Sequence, residues 1–290
     1  MGGRFTVGLR AMVLLVPLLG AAACAGGGGQ TGNGAPVASM STGDLGAAVA
    51  NPARTDAERA RDAYRHPVET LTFFGLRPDM NVIEIAPGGG WYTAILAPVL
   101  AEHGKLRVTN GDPNGPPESG GTKRARALLA RFAAAPATFG KVEPIIVDWK
   151  SPNALGPDGS VDLVLTFRNV HNWVQAGTFD TVLADAFKVL KPGGILGVVE
   201  HRANASLAAA DPKVISDTGY VPESFVNEHA VAAGFKLAAK SEINANPKDT
   251  KDYAKGVWTL PPTYELGDAD HAKYAAIGES DRMTLRFVKP

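Results

Sequence analysis

Glu84-Ile85-Ala86-Pro87-Gly88-Gly89-Gly90 leaves a short apolar run, Asn81–Ala86, and opens onto Trp91–Ala101, a stretch of helical pattern. Glycines let a backbone turn sharply and come close to a ligand, and a following helix presents free N–H groups at its first turn. Such a turn alone is a weak signal, and its surroundings give it weight. Lys105–Asn110, Val142–Val147, Val161–Phe167 and Ile195–Val199 read as further strands, with helices over Thr122–Ala134 and Gly177–Leu190 between them. Pro222–Ala233 is helical, and Phe235–Ile243 and Met283–Val288 complete seven strands. Strands alternating with helices need crossover connections, so an α/β fold with a mostly parallel sheet and helices on both faces is expected.

Upstream of the turn, Asn51–Tyr64 carries a helical pattern. A second helix opens at His66-Pro67, where proline suits the first turn, and ends at Gly75. Residues 51–290 are thus the expected folded domain. Residues 24–50, led by Gly26-Gly27-Gly28-Gly29, offer too little apolar surface to fold and read as a flexible tether. Residues 1–23 read as a signal peptide: Arg4 and Arg10 give the positive start, Ala11–Leu19 the apolar core, Ala21-Ala22-Ala23 the cleavage site. That core is well short of the roughly 20 residues that cross a bilayer. Cys24, the lone cysteine, excludes an internal disulfide. It sits where bacterial lipoproteins carry their acylated cysteine, although Ala21 stands where those signals usually have leucine, and plain cleavage after the alanines fits as well. The expected location is outside the cytosol, periplasmic or anchored to the membrane through a lipid on Cys24.

The 290 residues carry 29 basic and 29 acidic side chains, and 45% are hydrophobic, an ordinary globular composition. Removing residues 1–23 takes two arginines and no acid, leaving 27 basic against 29 acidic residues. Without a basic surplus nothing argues for nucleic acid, and a small molecule is the expected partner. Residues 244–281, between the last two strands, are rich in proline, glycine and charge but hold Trp258, Tyr264 and Tyr274. Insertions of this length are usually functional or disordered, and the aromatics favour a partly ordered flap near the site.

Two acids fall where a ligand lying across the strand ends would meet them. Asp112, 22 residues after Gly90, is placed to accept both hydroxyls of a ribose. Asp148-Trp149 follows the third strand, where the carboxylate would take an adenine amino group and the indole border the base. Each acid has a plainer reading, Asp112 as a turn residue in Gly-Asp-Pro and Asp148 as a helix cap. Taken with the glycine loop, the ligand site is the stronger reading.

Glu84-x-x-x-Gly88-x-Gly90, Asp112, Asp148 and Leu190-Lys191-Pro192-Gly193-Gly194 together resemble the motifs of class I S-adenosylmethionine-dependent methyltransferases, from about Arg61 to the C-terminus. More narrowly, Pro87–Thr93 and Asn244–Thr259 resemble a bacterial group of often exported methyltransferases. The resemblance implies a Rossmann-like sheet of seven strands, the last antiparallel, with S-adenosylmethionine as the cofactor over the glycine loop. It implies that Glu84, Gly88 and Gly90 shape the methionine end, with Ala86 and Gly89 in the same loop, that Asp112 holds the ribose, and that Asp148 and Trp149 hold the adenine. Pro87 departs from the pattern by removing a backbone donor beside the loop. The rival is a nicotinamide dehydrogenase, whose fingerprint wants glycine or alanine where Thr93 stands.

Methyl transfer is an in-line displacement, so positioning supplies much of the rate, and a base is needed only while the nucleophile keeps its proton. The acceptor is expected at the carboxyl ends of the fourth and fifth strands, where Phe167-Arg168-Asn169-Val170-His171-Asn172-Trp173 and Glu200-His201-Arg202 converge. His171 or His201 is the expected base, with Glu200 on the same rim. Arg168 and Arg202 are placed to orient an anionic acceptor or the donor's carboxylate. A structural reading stands beside this one, with Arg202 paired to Glu200 and His171 capping a helix. Arg65, His66 and Glu69 would close over the site if the N-terminal helix folds back. No metal is expected, because no His-x-x-x-His or cysteine spacing occurs. Export sets a conflict, since S-adenosylmethionine is made in the cytosol. Two functions therefore stand open: methyl transfer to a small-molecule acceptor, or an envelope-tethered, non-catalytic binding protein on the same scaffold.

Overall fold

Val82–Ile85 and Leu163–Leu165 are buried throughout, as central strands of a parallel sheet must be when helices cover both faces. The computed structural model describes residues 1–3, 42–204 and 211–290, and Ala38–Pro290 is one compact unit. Most of the expected signal, Cys24 and most of the expected tether lie outside the described residues.

Four helices come first, α1 (Thr42–Val49), α2 (Asp56–Arg59), α3 (Asp62–Arg65) and α4 (Pro67–Phe74), and lead into β1 (Asn81–Ile85). Then follow α5 (Thr93–Leu100), β2 (Lys105–Asn110), α6 (Gly120–Ala134), α7 (Pro136–Phe139), β3 (Glu143–Ile146) and β4 (Val161–Phe167). The second half runs α8 (Val170–Ala176), α9 (Phe179–Val189), β5 (Leu190–His201), α10 (Pro212–Thr218), α11 (Glu223–Ala232) and β6 (Lys236–Ser241). A 3-10 turn at Gly256–Thr259, α12 (His271–Ile277) and β7 (Arg282–Val288) complete it.

The sheet order is β3-β2-β1-β4-β5-β7-β6. β1 to β5 pair in parallel, and β7 runs antiparallel to both of its neighbours. The chain thus builds outward from β1 to β3, then crosses back to lay β4 on the other side of β1. That reversal opens a crevice at the carboxyl ends of β1 and β4, the place where doubly wound sheets bind ligands. Alternation along the strands feeds two cores. Val82, Leu163 and Leu165 pack with Leu45, Phe74 and Ile95 on one face, while Ile83, Ile85 and Val164 pack with Val170, Leu183 and Val226 on the other.

Four expectations about boundaries need correction. Residues 42–49 are not tether: Leu45 and Ala48 of α1 are buried, and the helix packs on α4 and α5. The single helix expected over Asn51–Tyr64 is instead α2 and α3, the first started by Thr55, whose hydroxyl and Glu58 form a reciprocal capping box. The helix expected over Gly177–Leu190 is α9, which begins only at Phe179; a short helix that was not expected, α8, precedes it and ends at Gly177, which takes φ 68° and whose N–H caps the Trp173 and Val174 carbonyls. β5 starts at Leu190 rather than Ile195, since the pairing with β4 shifts register there and Lys191–Gly194 bulge without ending the strand. Among the described residues no helix is long and apolar enough to cross a membrane.

An added Cβ at Gly197 of β5 would stand 2.7 Å from Leu165 Cδ2 and 2.8 Å from Phe74 Cδ1. Both side chains are fully buried and have nowhere to move. Gly197→Ala is therefore expected to push α4 off the sheet and lower stability by roughly 1–3 kcal/mol, read as the midpoint of urea unfolding. An unchanged midpoint would mean that α4 yields without cost.

Candidate functional site

β1 ends at Ile85 and the chain turns at once, with φ of 51° at Ala86, 59° at Gly88 and 80° at Gly90. Left-handed backbone suits glycine but strains alanine. Ala86 is held there from both sides: its N–H donates to Thr109 Oγ1 (2.8 Å), and Asn169 Nδ2 donates to its carbonyl (3.1 Å). An added Cβ would find Leu128 at 3.3 Å from Gly90, but nothing within 4 Å at Gly88 or Gly89. The two middle glycines face open space. Beneath them Glu84, 2% exposed, accepts from Thr93 Oγ1 at 2.6 Å, and burial pushes its carboxyl up to about 7. Glu84 thus ties the end of the turn back to β1, and it lines neither of the two cavities beside the loop.

The N-terminal segment closes over this turn. Trp91 Nε1 donates to the Glu58 carbonyl (3.0 Å), and the guanidiniums of Arg54 and Arg65 each lie 4.7 Å from its ring centroid. Arg131 of α6 donates to the Glu58 carboxylate (2.6 Å) and to the Gly89 carbonyl (2.5 Å). Arg65 reaches the site; His66 and Glu69 do not line it.

Two cavities meet at the loop and share Ala86, Pro87, Gly88 and Asn169. One, of about 550 Å³, lies over the ends of β2 and β3 between Asn110, Gly111, Trp149, Asn172 and Trp173. The two indoles meet edge to face, 6.3 Å between centroids. Asp112 and Asp148 form no part of this wall. Both are exposed, and each carboxylate accepts a backbone N–H two residues on, Asn114 at 2.8 Å and Lys150 at 3.2 Å. The expected ribose and adenine roles thus have no counterpart in this wall: as placed, one oxygen of each acid closes its own turn, and the amides of Asn110 and Asn172 line the cleft.

The other cavity, of about 430 Å³, lies over the ends of β4 and β5 and is walled by Trp258, Pro261 and Pro262, so the 244–281 segment does reach the site. His171 and His201 line it, their ring centroids 5.3 Å apart. Glu200, wholly buried, accepts the Val170 N–H (2.5 Å) and the His201 N–H (2.8 Å), and faces His171 Nδ1 at 3.0 Å. With its oxygens serving as acceptors, His171 is assigned a proton on Nδ1, which leaves Nε2 as the acceptor. His201 Nδ1 stands 2.5 Å from Ser280 Oγ. Burial, then His171, Arg282, Arg168 and Arg65, push the His201 imidazole well below its usual range. His201 is therefore neutral at pH 7.

Ligand-type atoms of His171, Glu200 and His201 all lie within 4.8 Å of one another. This potential metal grouping counts against the expectation of no metal site, and spacing along the chain did not disclose it. A cation there would face the charges of Arg65, Arg168 and Arg282 and a carboxylate already engaged by N–H groups. The electrostatics favour a proton-handling pair.

Arg202 is also corrected. It does not line the cavity. Its guanidinium is held by Glu242 (2.8 and 2.6 Å) and Asp281 (3.0 and 2.9 Å), which raise its ionisation above the usual value, and it does not pair with Glu200. Arg168, at φ 61°, does line the cavity, as do Arg61 and Arg65. Glu279 accepts from Arg61 Nε (2.5 Å), Arg65 Nε (3.1 Å) and Arg282 Nη2 (2.5 Å). Burial alone would raise the Glu279 carboxyl, but Arg282, Arg65, Arg168 and Arg61 outweigh it and hold it at about 2. Arg61, Glu279 and Ser280 went unnoticed in the sequence. The four-residue spacing of Arg61 and Arg65 was the one available sign that they face the same way.

The sheet order, the single antiparallel strand and the glycine turn are those of the class I S-adenosylmethionine-dependent methyltransferase fold. A SAM-dependent methyltransferase from Aquifex aeolicus superposes with a TM-score of 0.53 at 15% identity, over 87% of this chain and 100% of that one. Geranyl diphosphate C-methyltransferase from Streptomyces coelicolor, solved with S-adenosyl-L-homocysteine, gives 0.54 at 12%, over 84% and 88%. A [4+2]-cyclase gives 0.54 at 17%, over 88% and 98%. At such identities the likeness is one of fold. No family model and no curated protein matches the sequence.

Glu279 supplies a pH test of the arginine cage. Its carboxyl is depressed from 4.5 to about 2, so its stabilising effect is complete above the unfolded value and is lost as pH falls from about 4.5 toward 2. Across that window wild type is expected to lose about 3 kcal/mol more stability than Glu279→Gln. The variant starts lower at pH 7 for want of a counter-charge. Denaturant titrations at a series of pH values check this, and parallel profiles for the two proteins would remove Glu279 as the titrating group.

Proposed function

We propose that this chain binds S-adenosylmethionine in the cleft between Trp149 and the glycine turn, and transfers its methyl group to a small-molecule acceptor in the adjoining cavity. The observation that carries this reading is the meeting of two cavities at one turn, with Ala86, Pro87, Gly88 and Asn169 as their common wall. The open faces of Gly88 and Gly89 fit the methionine end of such a donor, and Trp149 and Trp173 fit its base. When bound, the donor supplies an electrophilic methyl group. The chain's own residues orient the acceptor, exclude water through Trp258 and the proline pair, and take a proton at His171 Nε2, with Glu200 fixing the ring through Nδ1.

Isothermal titration of the full chain is expected to show binding of S-adenosylmethionine and its demethylated product but not of NAD. Gly88→Val, which puts a branched side chain into the open face at a left-handed φ, is expected to weaken that binding tenfold or more. No heat with either ligand at saturating concentration would end the assignment.

His171→Ala is expected to keep donor affinity while losing 10²–10⁴-fold in turnover, measured by mass spectrometry once phenols, thiols and amines have been screened as acceptors. Wild-type turnover in the variant would make the histidine structural. Donor binding with no turnover on any acceptor would favour the second reading, a non-catalytic binding protein; the [4+2]-cyclase neighbour shows this fold under a name other than methyltransferase.

A further inference from the structure

The second cavity has more positive charge in its walls than the protein answers. Arg65 is 1% exposed, and beyond the Nε contact to Glu279 its Nη1 and Nη2 have no acceptor. Buried donors left without a partner are rare and costly. Arg168 lines the same cavity, and among the described residues its guanidinium makes no hydrogen bond or ion pair, with Glu279 acting on it only through space. Burial, with Arg282 beside it, draws its ionisation down to about 10, so it remains charged at pH 7. Three guanidiniums, Arg61, Arg65 and Arg282, thus share the single carboxylate of Glu279, and Arg168 stands within its field without bonding it. The other acids nearby are committed, Glu58 to Arg131 and Glu200 to N–H groups.

S-adenosylmethionine does not restore the balance. Its sulfonium and ammonium groups outweigh its carboxylate, so it arrives with a net positive charge of its own. A cationic donor beside a cationic cavity requires the remaining partner to be negative.

We infer that the acceptor is an anion, a small molecule whose carboxylate or phosphate seats on Arg65 and Arg168. This rests on the methyl-transfer reading. Planar guanidinium forks match both oxyanions with paired hydrogen bonds, and the Arg65 nitrogens that lack acceptors are the two at the end of the fork. The cavity is of small-molecule size, about 430 Å³. Trp258, whose ring lies 5.9 Å from that of His171, and Phe167 supply apolar wall, which suits an aromatic body behind the anionic group.

The test is calorimetric, on the full chain already saturated with S-adenosylhomocysteine. The probes are salicylate, phenyl phosphate and the neutral isostere salicylamide. Salicylate or phenyl phosphate is expected to bind at least tenfold more tightly than salicylamide, and the tighter of the two names the anionic group. Arg168→Gln should cost the anions tenfold or more while leaving S-adenosylhomocysteine affinity unchanged, which also serves as the control for folding. Arg168→Lys should recover part of the loss. Equal binding of salicylate and salicylamide, or no anion binding beside bound S-adenosylhomocysteine, overturns the inference. Displacement of the anions by S-adenosylhomocysteine also overturns it, because the arginines then serve the donor's own carboxylate. Anion binding in a protein that ignores S-adenosylhomocysteine would leave the anion site standing and sink the methyl-transfer reading instead.

Discussion

Where β1 ends, the backbone leaves the sheet through three left-handed residues, and the two neighbouring strands hold it in that posture. Thr109, on β2, receives the Ala86 N–H, while Asn169, just beyond β4, donates to the Ala86 carbonyl. Glu84 and Thr93 close the turn from below. Alanine at φ 51° is strained and persists only where its surroundings over-determine it. Because both braces come from strands adjacent to β1, the turn is correct only when the reversal of strand order is correct. The two cavities are the spaces left on either side of that braced turn, so topology and site are one constraint.

The fold was open to reading because it depends on local pattern. Continuous apolar runs, glycine punctuation and the Pro67–Gly75 helix limits each declare themselves within a few residues, and the strands fell close to where they were expected. The site was less legible for a physical reason. Whether Asp112 or Asp148 faces a ligand depends on which N–H groups its carboxylate meets first, and both found one two residues away. Arg202 does follow β5, as expected, yet Glu242 and Asp281 compete for it from segments far along the chain. Arg65 shows the opposite case, an ordinary-looking arginine on a short helix that becomes the most buried charge of the cavity through contacts with Trp91 and Glu279.

The two histidines show how one carboxylate makes unequal partners of two like side chains. Glu200 touches the His171 ring but only the backbone of His201. His171 therefore has a fixed tautomer and a basic nitrogen to offer, whereas His201, turned to Ser280 and surrounded by arginines, is kept neutral. The site can thus hold a proton acceptor beside strong positive charge without the second imidazole adding to it.

Arg61 and Glu279 are 218 residues apart, yet they meet in the same cage. One wall is made near the start of the domain and the other by the residues that lead into β7, a strand that inserts between β5 and β6. Without this segment the arginines lack the Glu279 carboxylate, and β6 has no strand joining it to β5. The second cavity therefore depends on β7 being in place, and a chain lacking that strand would carry the glycine turn without the arginine cage beside it.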